Sequence, residues 1–331
     1  MKIFLRAGAA ALALLAAPAS AAGLLDNYAF GFIKPIDTKE ASAVAFNWDT
    51  RRLLVTTDEE ESDGRTIFGE YDLNGDKTAT VVLGGCLSLG AAQCDPEGLT
   101  YVGGGNYVVA EERYQDIALI RDIGGTGTDR TYTAYDDAPT ISIGGDAGNS
   151  GLEGIAYDRL TGDYFGVKER QPMVVYKGTG ADFGNETATT SVLFDASGLG
   201  LDRLSDIAVL SNGAFAAAPF GDNLLLLSGR SFRLVEVTKA GALVGSYDLS
   251  AYKSIIDPAN EGGKFEGLTM DDRGNLYLVS DDGDGPNQSF MLKLQYNGAV
   301  PEPGTWMMLI AGFGAVGGAM RSRRKPALAL R

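Results

Sequence analysis

This sequence predicts an all-β fold, a β-propeller of four-stranded antiparallel sheets, and three observations carry the prediction. A hairpin unit recurs: LEGIAYDRLTGDYFGVKER, residues 152–170, opens on an acid and a glycine, alternates large and small residues, turns through residues 158–163 and ends in charge. Alternation with period two is the strand signal, and the Asp, Thr and Gly cluster is the turn signal. The recurrences are regular. EGLTYVGGGNYVVAEER starts at Glu97, SDIAVLSNGAFAAAPFGD at Ser205, EGLTMDDRGNLYLVSDDG at Glu266 and, more weakly, SAVAFNWDTRRLLVTTDEE at Ser42. Starts at 42, 97, 153, 205 and 266 lie 55, 56, 52 and 61 residues apart, which leaves room for four short strands in each repeat. The ends of the array also complement each other: the last repeat runs out after a third strand at 290–294, and NYAFGFI at 27–33 can supply the fourth. Closure of that kind removes a raw sheet edge. Five repeats predict five blades, with six the alternative.

Taken in order, the chain begins with Lys2 and Arg6, an apolar run over 7–17 and Pro18-Ala19-Ser20-Ala21-Ala22. These are the parts of a secretory signal peptide, so residues 1–22 are expected to form a signal helix cleaved near Ala21 or Ala22. The apolar run falls short of the roughly 20 residues that span a bilayer. Residues 23–299 form the propeller domain. One face of its first strands carries Val44 and Phe46, Leu99 and Tyr101, Ile155 and Tyr157, Ile207 and Val209, or Leu268 and Met270. The other face holds small residues such as Gly98 and Thr100 or Gly154 and Ala156. A large face can then nest against the small face of the neighbouring sheet. Cys86 and Cys94 are the only cysteines. Export takes them to an oxidising compartment, where a disulfide over this short loop is expected to stabilise modestly; two free thiols are the alternative.

At the other end, Pro301-Glu302-Pro303 precedes an apolar stretch at 305–320 and then Arg321, Arg323, Arg324 and Lys325. Residues 300–331 therefore read as a transmembrane stop, with a helix at about 305–320 and a cytoplasmic basic tail. A Pro-Glu-Pro motif, a hydrophobic helix and an Arg-rich end resemble the PEP-CTERM sorting domain of Gram-negative bacteria that make exopolysaccharide. That resemblance implies an inner-membrane-anchored precursor, recognition at Pro301, Glu302 and Pro303 by an exosortase, and transfer to the cell surface or extracellular matrix.

Without its two ends the chain keeps 21 of its 28 basic residues and 42 of its 43 acidic ones, a net charge of −21. Such a field repels nucleic acid and attracts cations. The sequence contains no His at all. Ser-His-Asp and Cys-His nucleophiles, imidazole bases and His-ligated metals are therefore excluded, and carboxylate chemistry remains.

An antiparallel hairpin brings the start of its first strand beside the end of its second. Opening and closing acids should therefore pair as Glu97 with Glu111, Glu153 with Glu169, Asp206 with Asp222 and Glu266 with Asp281, with Ser42 and Asp58 in the same places of the first repeat. Around a common axis these groups would converge at one mouth of a central channel. Carboxylates held together repel unless something neutralises them, and an oxygen-only set suits Ca²⁺. The candidate ligands are Glu97, Glu153, Glu266 and Asp206, with Asp58, Glu111, Glu169 and Asp281 behind them. The competing reading is that these acids cap strand ends and accept backbone hydrogen bonds. Asp72-Leu73-Asn74-Gly75-Asp76 and Asp282-Gly283-Asp284-Gly285 resemble pieces of calcium loops but lack the closing acid, so hairpin turns are expected there. Gly103-Gly104-Gly105 opens no helix and reads as a turn. Lys168 and Arg170 could clamp an anion or pair with nearby carboxylates.

EASAVAFNWDTRRLLVTTDE, GLEGIAYDRLTGDYFGVKERQPMVVY, the Ser205-Asp206 start and FEGLTMDDRGNLYLVSDD resemble the SdiA-regulated family of secreted bacterial β-propellers. The likeness covers most of residues 28–297 and is strongest at 151–176, where Lys168-Glu169-Arg170-Gln171-Pro172 matches a Lys-Glu-basic-x-Pro segment. It implies an envelope propeller linked to calcium, without a settled reaction. The Glu-Gly-Leu and Val-Ser-Asp-Asp elements of the last repeat are also similar to phytase-like and esterase-like propellers. That likeness implies a calcium-dependent phosphodiesterase or phytase-like hydrolase, though no Lys/Arg-rich phosphate cluster is visible beside the acids. The expectation is an exported binding or scaffold module with exosortase, exopolysaccharide or a small ligand as partners, and a hydrolase as the alternative.

Overall fold

Gly98, Gly154 and Gly267 set how the sheets meet. The computed structural model describes residues 23–57, 65–84, 96–132, 138–282 and 288–298, apart from residues 122, 124 and 126. In it each of these glycines lies against the inner strand of the following sheet. A Cβ on Gly98 would stand 3.0 Å from the Cα of Gly154, one on Gly154 2.6 Å from the Cα of Asp206, and one on Gly267 2.8 Å from the Cα of Ala43. Backbones approach this closely only where the side chain is missing.

Five sheets result. From the axis outward, blade 1 runs Ala41–Asn47, Arg52–Thr57, Arg65–Tyr71 and Lys77–Gly84, and blade 2 runs Pro96–Gly103, Asn106–Glu111, Asp116–Ile120 and Thr140–Ser142. Blade 3 comprises Leu152–Asp158, Asp163–Lys168, Val174–Asp182 and Thr187–Asp195; blade 4 comprises Asp206–Val209, Leu224–Ser228, Arg233–Val237 and Leu243–Asp248. Blade 5 takes Phe265–Met270, Leu276–Ser280 and Phe290–Tyr296 from the end of the array and Tyr28–Pro35 from its beginning. That last pairing runs antiparallel from Tyr28 opposite Tyr296 to Pro35 opposite Phe290. Inner strands touch in the order 1, 2, 3, 4, 5 and back to 1, so the ring closes at five blades, as the repeat count predicts.

Each blade interface carries its own apolar core. Ala43 and Ala45 meet Leu99 and Tyr101 between blades 1 and 2; Ala156 meets Ile207 and Val209 between blades 3 and 4; Ala208 meets Leu268 and Met270 between blades 4 and 5. Val44 and Phe46 face Tyr277 and Val279 of blade 5, and Ile155 faces Val108 and Ala110 of blade 2. The large-on-small nesting is thus present where blades 1 and 2, 3 and 4, and 4 and 5 meet, whereas between blades 5 and 1 large residues meet large ones.

Two elements depart from the sequence reading. Blade 1 has a fifth strand, Arg130–Tyr132, lent by the long connection of blade 2 and lying parallel to Lys77–Gly84. Buried Glu70 holds that connection, accepting Arg130 Nη2 at 2.9 Å, the Gly127 amide at 2.9 Å and the Thr78 hydroxyl at 2.6 Å. The outer edge of blade 1 is thereby covered. In blade 4 the second strand is Leu224–Ser228, not the Ala- and Pro-containing segment after Ser211. Pro219 has no amide to give to a ladder, whereas the four leucines at 224–227 fill both faces of a fully covered strand.

The signal helix at 1–22, Asp58, Cys86, Cys94 and the segment at 300–331, with Pro301, Glu302, Pro303 and the apolar stretch at 305–320, lie outside the described residues. Among the described residues no helix is long and apolar enough to cross a membrane.

Candidate functional site

Ser42, Glu97, Glu153, Ser205 and Glu266 hold the same place in the five inner strands. In four blades this place is a β-bulge: pairing jumps from Ala41 to Ala43, Pro96 to Gly98, Leu152 to Gly154 and Phe265 to Gly267. A bulge leaves its extra residue without a cross-strand partner and re-aims the side chain. Glu97, Glu153 and Glu266 are brought in this way to one mouth of the channel.

The bulge also shifts which acid answers from the second strand. Pro96 lies opposite Glu111, Leu152 opposite Lys168 and Phe265 opposite Ser280, so the equivalent acids one place later are Glu112, Glu169 and Asp281. Glu111 turns aside and accepts the Tyr114 amide at 2.7 Å. Glu112, which the sequence reading passed over, joins the cluster: one carboxylate oxygen from each of Glu112, Glu153 and Glu169 lies within 4.8 Å of the others. The separation of 14 residues assigned to Glu97 and Glu111, against 15 and 16 elsewhere, was the available signal.

Cations stand among these acids. Glu169 is flanked by Arg203 Nη1 at 2.6 Å and Arg170 Nε at 2.9 Å. Lys264, two residues ahead of Glu266, pairs with Glu266 and with Asp281 Oδ2 at 2.9 Å, and its amide donates to Asp281 Oδ1 at 2.7 Å. Burial works against the Lys264 ammonium, yet Asp281, then Glu97 and Glu153, hold its pKa above the ordinary lysine value. Lys168 donates to the carbonyls of Ser150 and Arg170, and burial lowers its pKa despite Glu169 and Glu112 nearby.

Glu153 is where repulsion concentrates. It keeps partial exposure at the mouth. Burial of its carboxyl, followed by Glu97, Glu112 and Glu169, nevertheless pushes its pKa well above the usual glutamate value, and Lys264 offsets only part of this. A carboxyl in that state takes up a proton or a cation. Three oxygen donors around one point, with no thiolate or imidazole, fit a hard divalent ion.

Asp206 departs from the expectation. It occupies the place that is Gly98, Gly154 and Gly267 in blades 2, 3 and 5, one residue inside the acid position, where blade 4 has Ser205. Its oxygens accept the Ile207 amide at 2.7 Å and the Leu268 amide at 2.6 Å, tying blade 4 to blade 5, and burial raises its pKa. Asp222 is not beside it, because Asp206 pairs with Leu227. Among the weaker candidates, Asp72 accepts the amides of Asn74 and Asp76 within a hairpin turn, and Gly103, Gly104 and Gly105 form a turn with positive φ throughout. Asp282 is described and buried, whereas residues 283–285 of the second candidate loop lie outside the described residues.

The opposite mouth is a different surface. A funnel of about 560 Å³, open to solvent, is lined by Trp48, Tyr101, Tyr157, Arg159, Met270 and Asp272 among others, and none of the clustered acids reaches it. Trp48 meets Tyr101 edge-on at 4.5 Å, and Arg159 lies over the Trp48 ring at 5.4 Å.

The family model described as SdiA-regulated matches residues 21–293, and the PEP-CTERM protein-sorting motif matches residues 299–325. The motif implies an exported protein, sorted by exosortase, with a C-terminal anchor that exosortase processes. Among solved structures, the β-propeller domain of Myceliophteria thermophila Cps50 (Swd1) is similar with a TM-score of 0.38 and 11% identity, over 75% of this chain and 67% of that one. The strand pairing, not this likeness, establishes the five-bladed fold.

Proposed function

The chain belongs to the SdiA-regulated family, and from that footing we propose that it is an exported surface or matrix binding module whose acidic channel mouth holds Ca²⁺. The observation that supports this is the Glu112, Glu153 and Glu169 cluster, with oxygens within 4.8 Å of one another around a carboxyl that burial and like charge have pushed upward. Glu97 and Glu266 stand at the same mouth and add to the field. A calcium ion takes about six to eight oxygen ligands, so three carboxylates leave room for oxygens of a second molecule. Hydroxyl and carboxylate groups of an exopolysaccharide, or of a small ligand, have that chemistry.

Thermal unfolding of the purified domain across millimolar calcium tests it. The melting temperature should rise with calcium, fall with chelator, and lose both responses in Glu153→Gln. A flat response in the unaltered protein sinks the metal reading.

One observation favours the hydrolase as a second reading. Lys168, Arg170, Arg203 and Lys264 lie beside the acids, a cationic set that the sequence did not group. Calcium-dependent turnover of a chromogenic phosphodiester, abolished by Glu153→Gln, would carry that reading; saccharide binding without turnover would carry the module.

A further inference from the structure

Glu236, on the third strand of blade 4, has 0% of its surface exposed. Its Oε1 accepts Asn223 Nδ2 at 2.6 Å, while Oε2 has no hydrogen-bond partner, and no Lys or Arg among the described residues pairs with the carboxyl. Burial raises the pKa of this carboxyl, while Asn223 and the amide of Leu24, which faces it without a bond of normal geometry to Oε2, favour its ionised form. An interior carboxylate without a counter-charge is costly, so this group either holds a proton or takes a cationic partner.

Leu24 opens the short turn Leu24–Asn27, whose two leucines are buried in the core between blades 4 and 5. One residue earlier, the Gly23 nitrogen donates to Asp26 Oδ2 at 2.9 Å. Two carboxyls therefore face the first described residues of the chain. The signal-peptide reading starts the mature protein at Ala22 or Gly23. Hydrolysis of the leader bond consumes one water, leaves a carboxylate on the leader, and turns a neutral amide nitrogen into an ammonium at this place.

We infer that Glu236, with Asp26, is a binding site for the chain's own processed N-terminus, whose new α-ammonium pairs with the buried carboxylate. The turn it anchors leads directly into Tyr28–Pro35, the strand that completes blade 5. Ring closure is then stronger in the processed protein than in the precursor, because only processing creates the charge. The same charge cannot help the chain to close before its leader is removed.

The test compares mature chains that begin at Gly23 with a free α-amino group, at Gly23 with that group acetylated, or with Ser20-Ala21-Ala22 retained ahead of it. Each is made with Glu236 and with Glu236→Gln. The free-amine chain should melt several degrees above the other two, with slower amide exchange along Tyr28–Pro35, and Glu236→Gln should erase the difference. Equal losses in both backgrounds, or no loss in either, overturn the site. Should Glu236→Gln fail to fold, Asp26→Asn serves instead: a smaller acetylation effect supports the site and an unchanged one overturns it. Mass analysis of the exported protein should find its first residue at Ala22 or Gly23; a start elsewhere also overturns it.

Discussion

The two ends of the channel meet their charges differently. Where the inner strands begin, Glu153 stands among Glu97, Glu112 and Glu169 with its carboxyl pushed upward. Where they end, the acids are bonded locally. Arg51 pairs with Asp272, Asp271 accepts the amides of Arg273 and Asn275, and Asp49 accepts the Tyr101 hydroxyl and the Gly104 amide. Both ends belong to the same five strands, yet one is settled by packing and turn chemistry while the other keeps a repulsion that an outside cation can relieve. A site for a charged ligand is expected where the fold leaves work undone, and the aromatic funnel leaves little.

The largest effect is expected at the waist between the two mouths. Gly154→Ala places a methyl group 2.6 Å from the Cα of Asp206, so the inner strands of blades 3 and 4 must separate. A loss of about 2 to 3 kcal/mol in denaturant unfolding is expected, and both mouths should loosen together. An unchanged midpoint would mean that the waist does not tie the ends.

Next in size is Lys264→Met, which leaves Glu266 and Asp281 without their shared cation. With the lysine partly open to solvent, about 2 kcal/mol should be lost in calcium-free buffer. Added calcium should recover a larger share of stability than in the unaltered protein. Equal calcium responses would separate Lys264 from the acid cluster.

Glu153→Gln should show itself in the pH profile. A carboxyl whose folded pKa lies above its unfolded value holds its proton more tightly in the fold. Its contribution is therefore full below the ordinary glutamate range and is lost as pH rises toward the raised folded value. Thermal unfolding without calcium should fall with pH over that window, and Glu153→Gln should flatten the fall. A profile identical to the unaltered protein would show Glu153 to be an ordinary surface acid.

The smallest effect belongs to the aromatic mouth. Asp272→Asn breaks the Arg51 pair, but both side chains are more than a third exposed, so screening limits the loss to about 0.5 kcal/mol. The calcium response should not move. A change there would couple the two mouths.

Much of the fold was legible because it rests on local pattern. The alternation in LEGIAYD and FEGLTMD names the inner strands and their two faces, and NYAFGFI names the closing strand. The candidate site was legible only in part, because its register depends on a bulge. Glu111 and Glu112 are adjacent in the chain, and only the extra residue at Glu97 decides that the second of them joins Glu153. Ser205-Asp206 looks like a variant of Glu-Gly, yet the acid falls in the glycine's place and bonds backbone amides. Lys264 lies in a connection whose sequence carries no strand signal, and Arg130–Tyr132 joins a blade other than its own. Nothing periodic announces either.

By itself the sequence determined the class of fold, a count of five blades with six still open, the closure of the ring and the excess of acid over base, since each follows from residue type and spacing along one strand or hairpin. Only the tertiary structure decided which carboxylates share a point and which cations stand beside them. It likewise decided which buried acid faces the turn Leu24–Asn27. Those outcomes depend on contacts between blades some fifty residues apart, where a one-residue bulge sends a side chain to the channel or into a neighbouring sheet.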